Sequence, residues 1–370
     1  MANAQPLNIV HCFRSPTGGV FRHIRDLAGA QLAAGHRVGV ICDASTGDRH
    51  DENQLADFAE TLSLGLHRFN MARGISPSDI MGVLRTRALL RVMAPDVVHC
   101  HTAKGGVFGR LGATALAPFG RKPVRLYSPH GGSLHFDPKN LKGRVFFVAE
   151  RALERVSDGL IFVCDYEKRT YAEKVGTPRC PAHTVYNGLP AAEFEAVGTV
   201  DDAADFLFIG MMRDLKGPDL MIEALGRIPD VTAIMVGEGP DRARYEARVA
   251  ELGLSDRVTF RDSMPAREAF ALAKTVIVPS RAESFPYIVL EAMAAHKPII
   301  ATDVGGISEM LDAPLVAPDD IEALATSMEL SVQSRGRDED VSERAKVAAT
   351  RFSTQAMADA IEEVYRAEIS

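Results

Sequence analysis

Apolar positions along this chain switch between two spacings. Short runs of Val, Ile, Leu and Phe alternate with stretches whose apolar residues recur every three to four positions, the period of a one-sided helix. LNIVHCF (7–13) and RVGVICD (37–43) predict strands. Between them, residues 17–36 predict a glycine-rich turn and an amphipathic helix. PDVVHCH (95–101), VRLYSPH (124–130), DGLIFVCD (158–165) and HTVYNG (183–188) carry the rhythm on. Residues 189–205 are rich in Ala, Asp and Glu and have no period, so a linker is expected at 191–204. The pattern then restarts with strands at 205–212, 231–239, 257–260, 275–280 and 297–304, and three helical stretches close the chain. The expected fold class is α/β, with two doubly wound, Rossmann-like domains at 1–190 and 205–352. Ligands of such sheets bind beyond the carboxyl ends of the strands, and two such domains imply a cleft between them.

Composition narrows the function classes. A chain of 370 residues, 46% hydrophobic and 25% charged, is globular and large enough for two cores. It has no unbroken apolar run of membrane-spanning length, and its first residues lack a signal-peptide pattern. The five cysteines are odd in number and form no C-x-x-C, which fits reduced thiols and a cytoplasmic location. The net charge of −7 is unevenly spread. Residues 1–195 hold 24 basic and 18 acidic residues, a balance of +6, and residues 196–370 hold 18 and 31, a balance of −13. Between Arg85 and Arg155 there are 13 basic and 4 acidic residues, so this stretch is a candidate surface for an anionic partner or simply a set of solvated helix faces. A pI near 5.9 without interleaved aromatic residues argues against nucleic acid as a partner.

One stretch carries candidate chemistry. SRAESFPYIVLEAM (280–293) predicts a strand end, a turn and a helix, with Ser284 as its N-cap and Pro286 in its first turn. Glu283 lies on the turn and Glu291 lies within an apolar helix. A carboxylate there is costly unless it is paired or hydrogen-bonded, and ligand hydroxyls would supply the donors. Free amides at the helix start suit an anionic or hydroxyl-rich ligand.

This stretch resembles the E-x7-E motif of family 4 retaining glycosyltransferases, which have the two-domain GT-B fold. HCHTAKGGVFGR, SPHGG, VYNGL, FIGMMRDLKGPDLMIEAL, VGEGPDR and ATDVGGISEML follow in that family's order across some 300 residues. The resemblance implies that Glu291 binds the nucleotide ribose and Glu283 the donor-sugar hydroxyls, helped by the amides of Ser284 and Phe285. It implies that Lys216 binds the donor diphosphate with Arg213 as companion, although Met211 stands where the family often has an arginine after Gly210. It sets the nucleotide base near Ser263 and Met264, and His130 near the reacting sugar. The last helix, 353–370, is expected to pack back on the first domain.

The implied reaction moves a sugar from a nucleotide-sugar, with UDP as the family prior, to a glycan or polyprenyl-phosphate-linked acceptor in surface polysaccharide synthesis. It retains anomeric configuration and needs no metal or other cofactor. An anionic membrane surface is a candidate partner. An epimerase of the same fold and a non-catalytic nucleotide-sugar-binding protein are the alternatives.

Other residues are weaker signals. Gly18 and Gly19 form the first βα turn, where a phosphate or acceptor can approach the backbone closely, but a plain tight turn reads the same. The chain has no G-x-G-x-x-G. In HCH (99–101), His99 and His101 share one strand face and Cys100 the other, so the three cannot hold one metal. Lys104 and Arg110 are candidates for an acceptor phosphate, or for the start and cover of a helix.

Overall fold

A computed structural model describes residues 5–47, 49–120, 122–334 and 340–369. The chain forms two compact units, Met1–Gly188 with Thr354–Ser370, and Leu189–Ser353.

The first unit is built on seven parallel strands: β1 (Asn8–Cys12), β2 (Arg37–Asp43), β3 (Gly65–Phe69), β4 (Val97–His101), β5 (Val124–Ser128), β6 (Gly159–Phe162) and β7 (Ala182–Thr184). Their spatial order is β3-β2-β1-β4-β5-β6-β7. Six of these were expected. The seventh, β3, reads GLHRF, an edge strand with two polar residues and mostly half-buried positions, so it lacks the continuous apolar run of an inner strand. The helix Thr354–Ile369 belongs to this unit. It buries Met357, Ile361, Val364 and Tyr365 in one cluster with Leu7, Ile9, Val97, Leu126 and Ile161. At about 1.5–3 kcal/mol for each large apolar side chain, this face contributes roughly 6–12 kcal/mol of gross burial.

The second unit holds five parallel strands: β8 (Ala204–Ile209), β9 (Ala233–Val236), β10 (Val258–Arg261), β11 (Ala273–Val278) and β12 (Ile299–Ala301). They run in the order β10-β9-β8-β11-β12. The segment expected as a free linker is fastened to this unit. Val197 and Val200 donate their amides to the carbonyls of Ala295 and Ala271, and the Arg267 guanidinium donates to the carbonyls of Glu193 and Glu195. These backbone bonds leave no period in the sequence.

Each sheet has one place where the strand order reverses, between β1 and β4 in the first unit and between β8 and β11 in the second. Neighbouring βα turns leave such a point in opposite directions and expose strand ends to a ligand.

Candidate active site

In the second unit, β8 and β11 each lead into one of the predicted turns. After β8 the chain runs through Gly210, Arg213 and a single 3-10 turn ending at Lys216. After β11 it runs through Ser280 to Glu283. The two turns meet in an ion pair, with the Lys216 ammonium 2.7 Å from Glu283 Oε1. The Ser280 hydroxyl donates to the same oxygen at 2.7 Å. Glu283 is 8% exposed. A carboxylate this buried needs such donors, and in return it fixes the lysine's position. The ammonium has three donors, of which Glu283 takes one. Arg213 is half-buried and makes no ion pair among the described residues.

Four glycines of the second unit's motifs hold these turns together by close backbone packing. A Cβ on Gly217 would stand 2.0 Å from the Pro279 carbonyl oxygen, and one on Gly305 would stand 2.4 Å from that of Glu283. Both residues are also left-handed, at φ +67° and +66°. Gly237 and Gly239 would likewise strike the backbone of Gly210 and Met212. Gly306 adds an amide hydrogen bond to the Ser284 carbonyl. The glycines of VGEGPDR and ATDVGGISEML therefore clamp the turns that carry Lys216 and Glu283.

The glutamates exchange the burial expected of them. Glu283 on the turn is the buried carboxylate, while Glu291 is half-buried on the helix Tyr287–Ala294, one position off the face that buries Val289, Leu290, Ala292 and Met293. This helix also begins later than expected. Pro286, extended at φ −72° and ψ 124°, occupies the cap position, and Ser284 lies two residues before it. A proline loses nothing there because no helical amide is required of it. Ser284 is half-buried and Phe285 is buried, its ring packed on Phe352. Ser263 and Met264 lie on the loop after β10, the serine exposed and the methionine half-buried.

In the first unit, Gly18 opens the helix after β1 at φ +63°, and nothing lies within 4 Å of where its Cβ would stand. Gly18 and Gly19 are both exposed, so this turn is open outward. His130 follows β5 in a left-handed conformation at φ +53°. The amide of the next residue, Gly131, donates to the buried carboxylate of Glu167, which also accepts from the Val163 amide at 2.9 Å.

Behind His130 lies a cluster of histidines. His11 on β1 is in register with His99 on β4, so both share a face with His101. His23, from the helix after β1, completes the group. Burial holds His11 at about 4 and His23 at about 3, and pushes His99, His101 and His130 well below the ordinary imidazole range. All five are therefore neutral near pH 7. Cys100 faces away, its Sγ near the Val98 carbonyl and packed against Gly109. Strand spacing thus excludes HCH as a single ligand set. Two other triads, His11/His99/His101 and His23/His101/His130, do place three ring nitrogens within 4.8 Å of one another.

Two expected acceptor cations are held in pairs within the first unit. Arg110 is fully buried, ion-paired with Glu150 at 3.2 Å, and stacked 3.8 Å over the Tyr127 ring. Lys104 is bound to Asp79 at 2.8 Å and to the Gly74 carbonyl at 2.6 Å. Partners distant in sequence neutralise both. Arg125 and Arg151, in the same basic stretch, pair with Asp158 and Glu154, and Arg121 lies outside the described residues.

The family model "Glycosyl transferases group 1" matches residues 191–348, and "Glycosyltransferase Family 4" matches residues 17–193. The chain is a family 4-like glycosyltransferase of the GT-B fold. It is 28% identical to the D-inositol 3-phosphate glycosyltransferase 2 of Catenulispora acidiphila, across 95% of this chain and 90% of that one. Among solved structures, it resembles HepE of Anabaena in complex with UDP, with TM-score 0.78, 19% identity, and coverage of 97% and 99%. A glycosyltransferase from Rickettsia africae gives TM-score 0.81 at 17% identity, covering 99% and 100%. In this glycosyltransferase the matched motifs hold Lys216 against Glu283. Sequence reading missed the salt bridge itself, the Glu167 brace under Gly131, and the contributions of His11, His23, Gln31 and Tyr365. Of the last group only His11, a polar residue inside an apolar strand run, carried a signal.

Proposed function

We propose that this glycosyltransferase binds a UDP-sugar through its second unit and transfers the sugar, with retention and without a metal, to a hydroxyl of a phosphate-bearing or lipid-linked glycan acceptor. The Lys216–Glu283 pair carries the reading. A lysine fixed by a buried carboxylate is a preorganised cation for the charge that grows on a departing diphosphate, with Arg213 as a second. Glu283 keeps one oxygen, Oε2, for a sugar hydroxyl, and Glu291 is set to accept from the ribose diol. Gly210, Ser263 and Met264 line the approach to the base and phosphates. His130 with Gly18 and Gly19 serves the reacting sugar and acceptor side. The structural relative that carries UDP supports the choice of base, and the D-inositol 3-phosphate glycosyltransferase relative supports an acceptor bearing phosphate.

A membrane-borne acceptor, as in surface polysaccharide synthesis, draws on the helix Leu141–Leu153. It exposes Leu141, Val145 and Val148 beside Lys142 and Arg144, which is an apolar and basic face suited to anionic lipid. No helix among the described residues is long and apolar enough to span a membrane. The test is product analysis. The protein is incubated in EDTA with UDP-glucose, UDP-galactose or UDP-N-acetylglucosamine and a panel of inositol phosphates and polyprenyl-phosphate glycans. A UDP-dependent product whose anomeric NMR coupling matches the donor's supports the reading. An inverted product, or transfer only with added divalent metal, contradicts it.

A further inference from the structure

The histidine cluster is a hydrogen-bonded chain with a direction, and one residue sets that direction. Its links are short: His130 Nε2 to His101 Nδ1 at 2.9 Å, His101 Nε2 to His11 Nδ1 at 3.0 Å, and His11 Nε2 to Gln31 Oε1 at 2.9 Å. Gln31 Nε2 then donates to the Tyr365 hydroxyl at 3.3 Å, which bonds His99 Nδ1 at 2.8 Å, and His99 Nε2 reaches Ser128 Oγ at 2.9 Å.

A neutral imidazole has one donor and one acceptor nitrogen, so each link dictates the next. The Gln31 carbonyl oxygen only accepts, so His11 carries its proton on Nε2 and offers Nδ1 as acceptor. His101 must then carry its proton on Nε2, and His130 likewise. The remaining nitrogen of His130, Nδ1, has no hydrogen-bond partner among the described residues and is left as a lone pair. Turning the Gln31 amide over would reverse every proton in the row and leave an N–H there instead.

We propose that Gln31 is a positioning residue that sets the tautomer of His130 through His11 and His101, so that His130 presents an acceptor nitrogen to a substrate hydroxyl. The catalytic part of this rests on the proposed role of His130 beside the reacting sugar. The chain itself lies wholly within the first unit and needs no substrate to be observed. The histidines' neutrality near pH 7 keeps the direction defined. Gln31 is 5% exposed and joins strand to helix, so it is held in place by packing as well as by its two bonds.

The test is long-range 15N–1H NMR of the full chain labelled in its histidines, for wild type, Gln31→Met and Gln31→Glu. The expected wild-type spectrum shows His11, His101 and His130 each as a single Nε2–H form. Methionine has nearly the same volume and cannot accept strongly, so His130 should become a mixture of tautomers. Glutamate accepts as the amide oxygen does and should restore the single form. With the donor selected by the product analysis, Gln31→Met should lower kcat on the order of tenfold to hundredfold with little change in donor KM, taking as guide the range for hydrogen-bond partners of metal-bound histidines. Gln31→Glu should recover most of that loss.

A wild-type His130 protonated on Nδ1 would overturn the proposal, as would one left unchanged by Gln31→Met. So would stoichiometric zinc uptake that abolishes the His–His links, because the cluster would then be a metal site. Full kcat in Gln31→Met despite mixed tautomers would remove the catalytic role. Absence of transfer from every nucleotide-sugar, with the tautomers as expected, would instead count against the transferase reading alone.

Discussion

Mild acid should unfold the first unit before the second. A histidine that stays neutral when folded but protonates when unfolded contributes stability that is fully present above the unfolded pKa of about 6.5. That stability drains away as pH falls from 6.5 toward the folded pKa, here about 4 for His11 and about 3 for His23. At pH 5.5 each such histidine costs roughly 1.4 kcal/mol relative to pH 7.5. Counting His11 and His23 alone gives about 3 kcal/mol, and His99, His101 and His130 act in the same direction. A domain's whole stability is about 5–15 kcal/mol. With a urea m-value of about 2 kcal/mol/M, the first unit's midpoint should fall by roughly 1.5 M or more. The second unit is an internal control because it contains one histidine, His296, of the eleven in the chain. Unfolded-chain carboxylates titrate near about 4, well below this pH window, whereas unfolded histidines titrate within it. Pulsed hydrogen exchange read by mass spectrometry follows each unit separately in urea at pH 7.5 and 5.5. A first-unit midpoint that does not move would refute the reasoning, as would folded-state histidine resonances titrating near 6.5.

Three substitutions probe the rest. Lys216→Ala should lower kcat about 100- to 1,000-fold in initial-rate assays, as when one fixed donor to a developing charge is lost; an unchanged rate would remove Lys216 from the chemistry. Gly305→Ala should lower Tm by a cost of about 3 kcal/mol or more, since the methyl meets the Glu283 carbonyl in a left-handed conformation, whereas Gly18→Ala meets no atom and should cost only the left-handed strain, about 1–2 kcal/mol. Calorimetry that ranks them the other way would contradict the clamp. Arg110→Ala should destabilise by about 3–5 kcal/mol, and Arg110→Met with Glu150→Leu by much less, because the single change strands a buried carboxylate; equal losses in urea melts would mean the pair is not coupled.

Much of the fold is written in local pattern. Eleven of the twelve strands among the described residues follow from runs of apolar residues because inner parallel strands are buried on both faces. The edge strand Gly65–Phe69 escapes that rule. The site was legible as ordered motifs, since Glu283, Lys216 and the paired glycines lie within short strings. What tied them together was not. Lys216 and Glu283 are 67 residues apart, and their salt bridge arises from the crossover that sets β8 beside β11. Arg110 read as a surface cation because Glu150 comes 40 residues later. Gln31 stands between Ala30 and Leu32 in an amphipathic helix, and its partners His11 and Tyr365, one near each end of the chain, reveal it as a buried link.

The most direct test of the donor site is isothermal titration of UDP in EDTA into wild type, Lys216→Ala and Glu291→Ala. The account predicts saturable metal-free binding to wild type, weakened at least tenfold in each variant by loss of a charged or ribose contact worth about 1.5–3 kcal/mol. Wild-type binding that requires magnesium, or equal affinity in all three proteins, would contradict it.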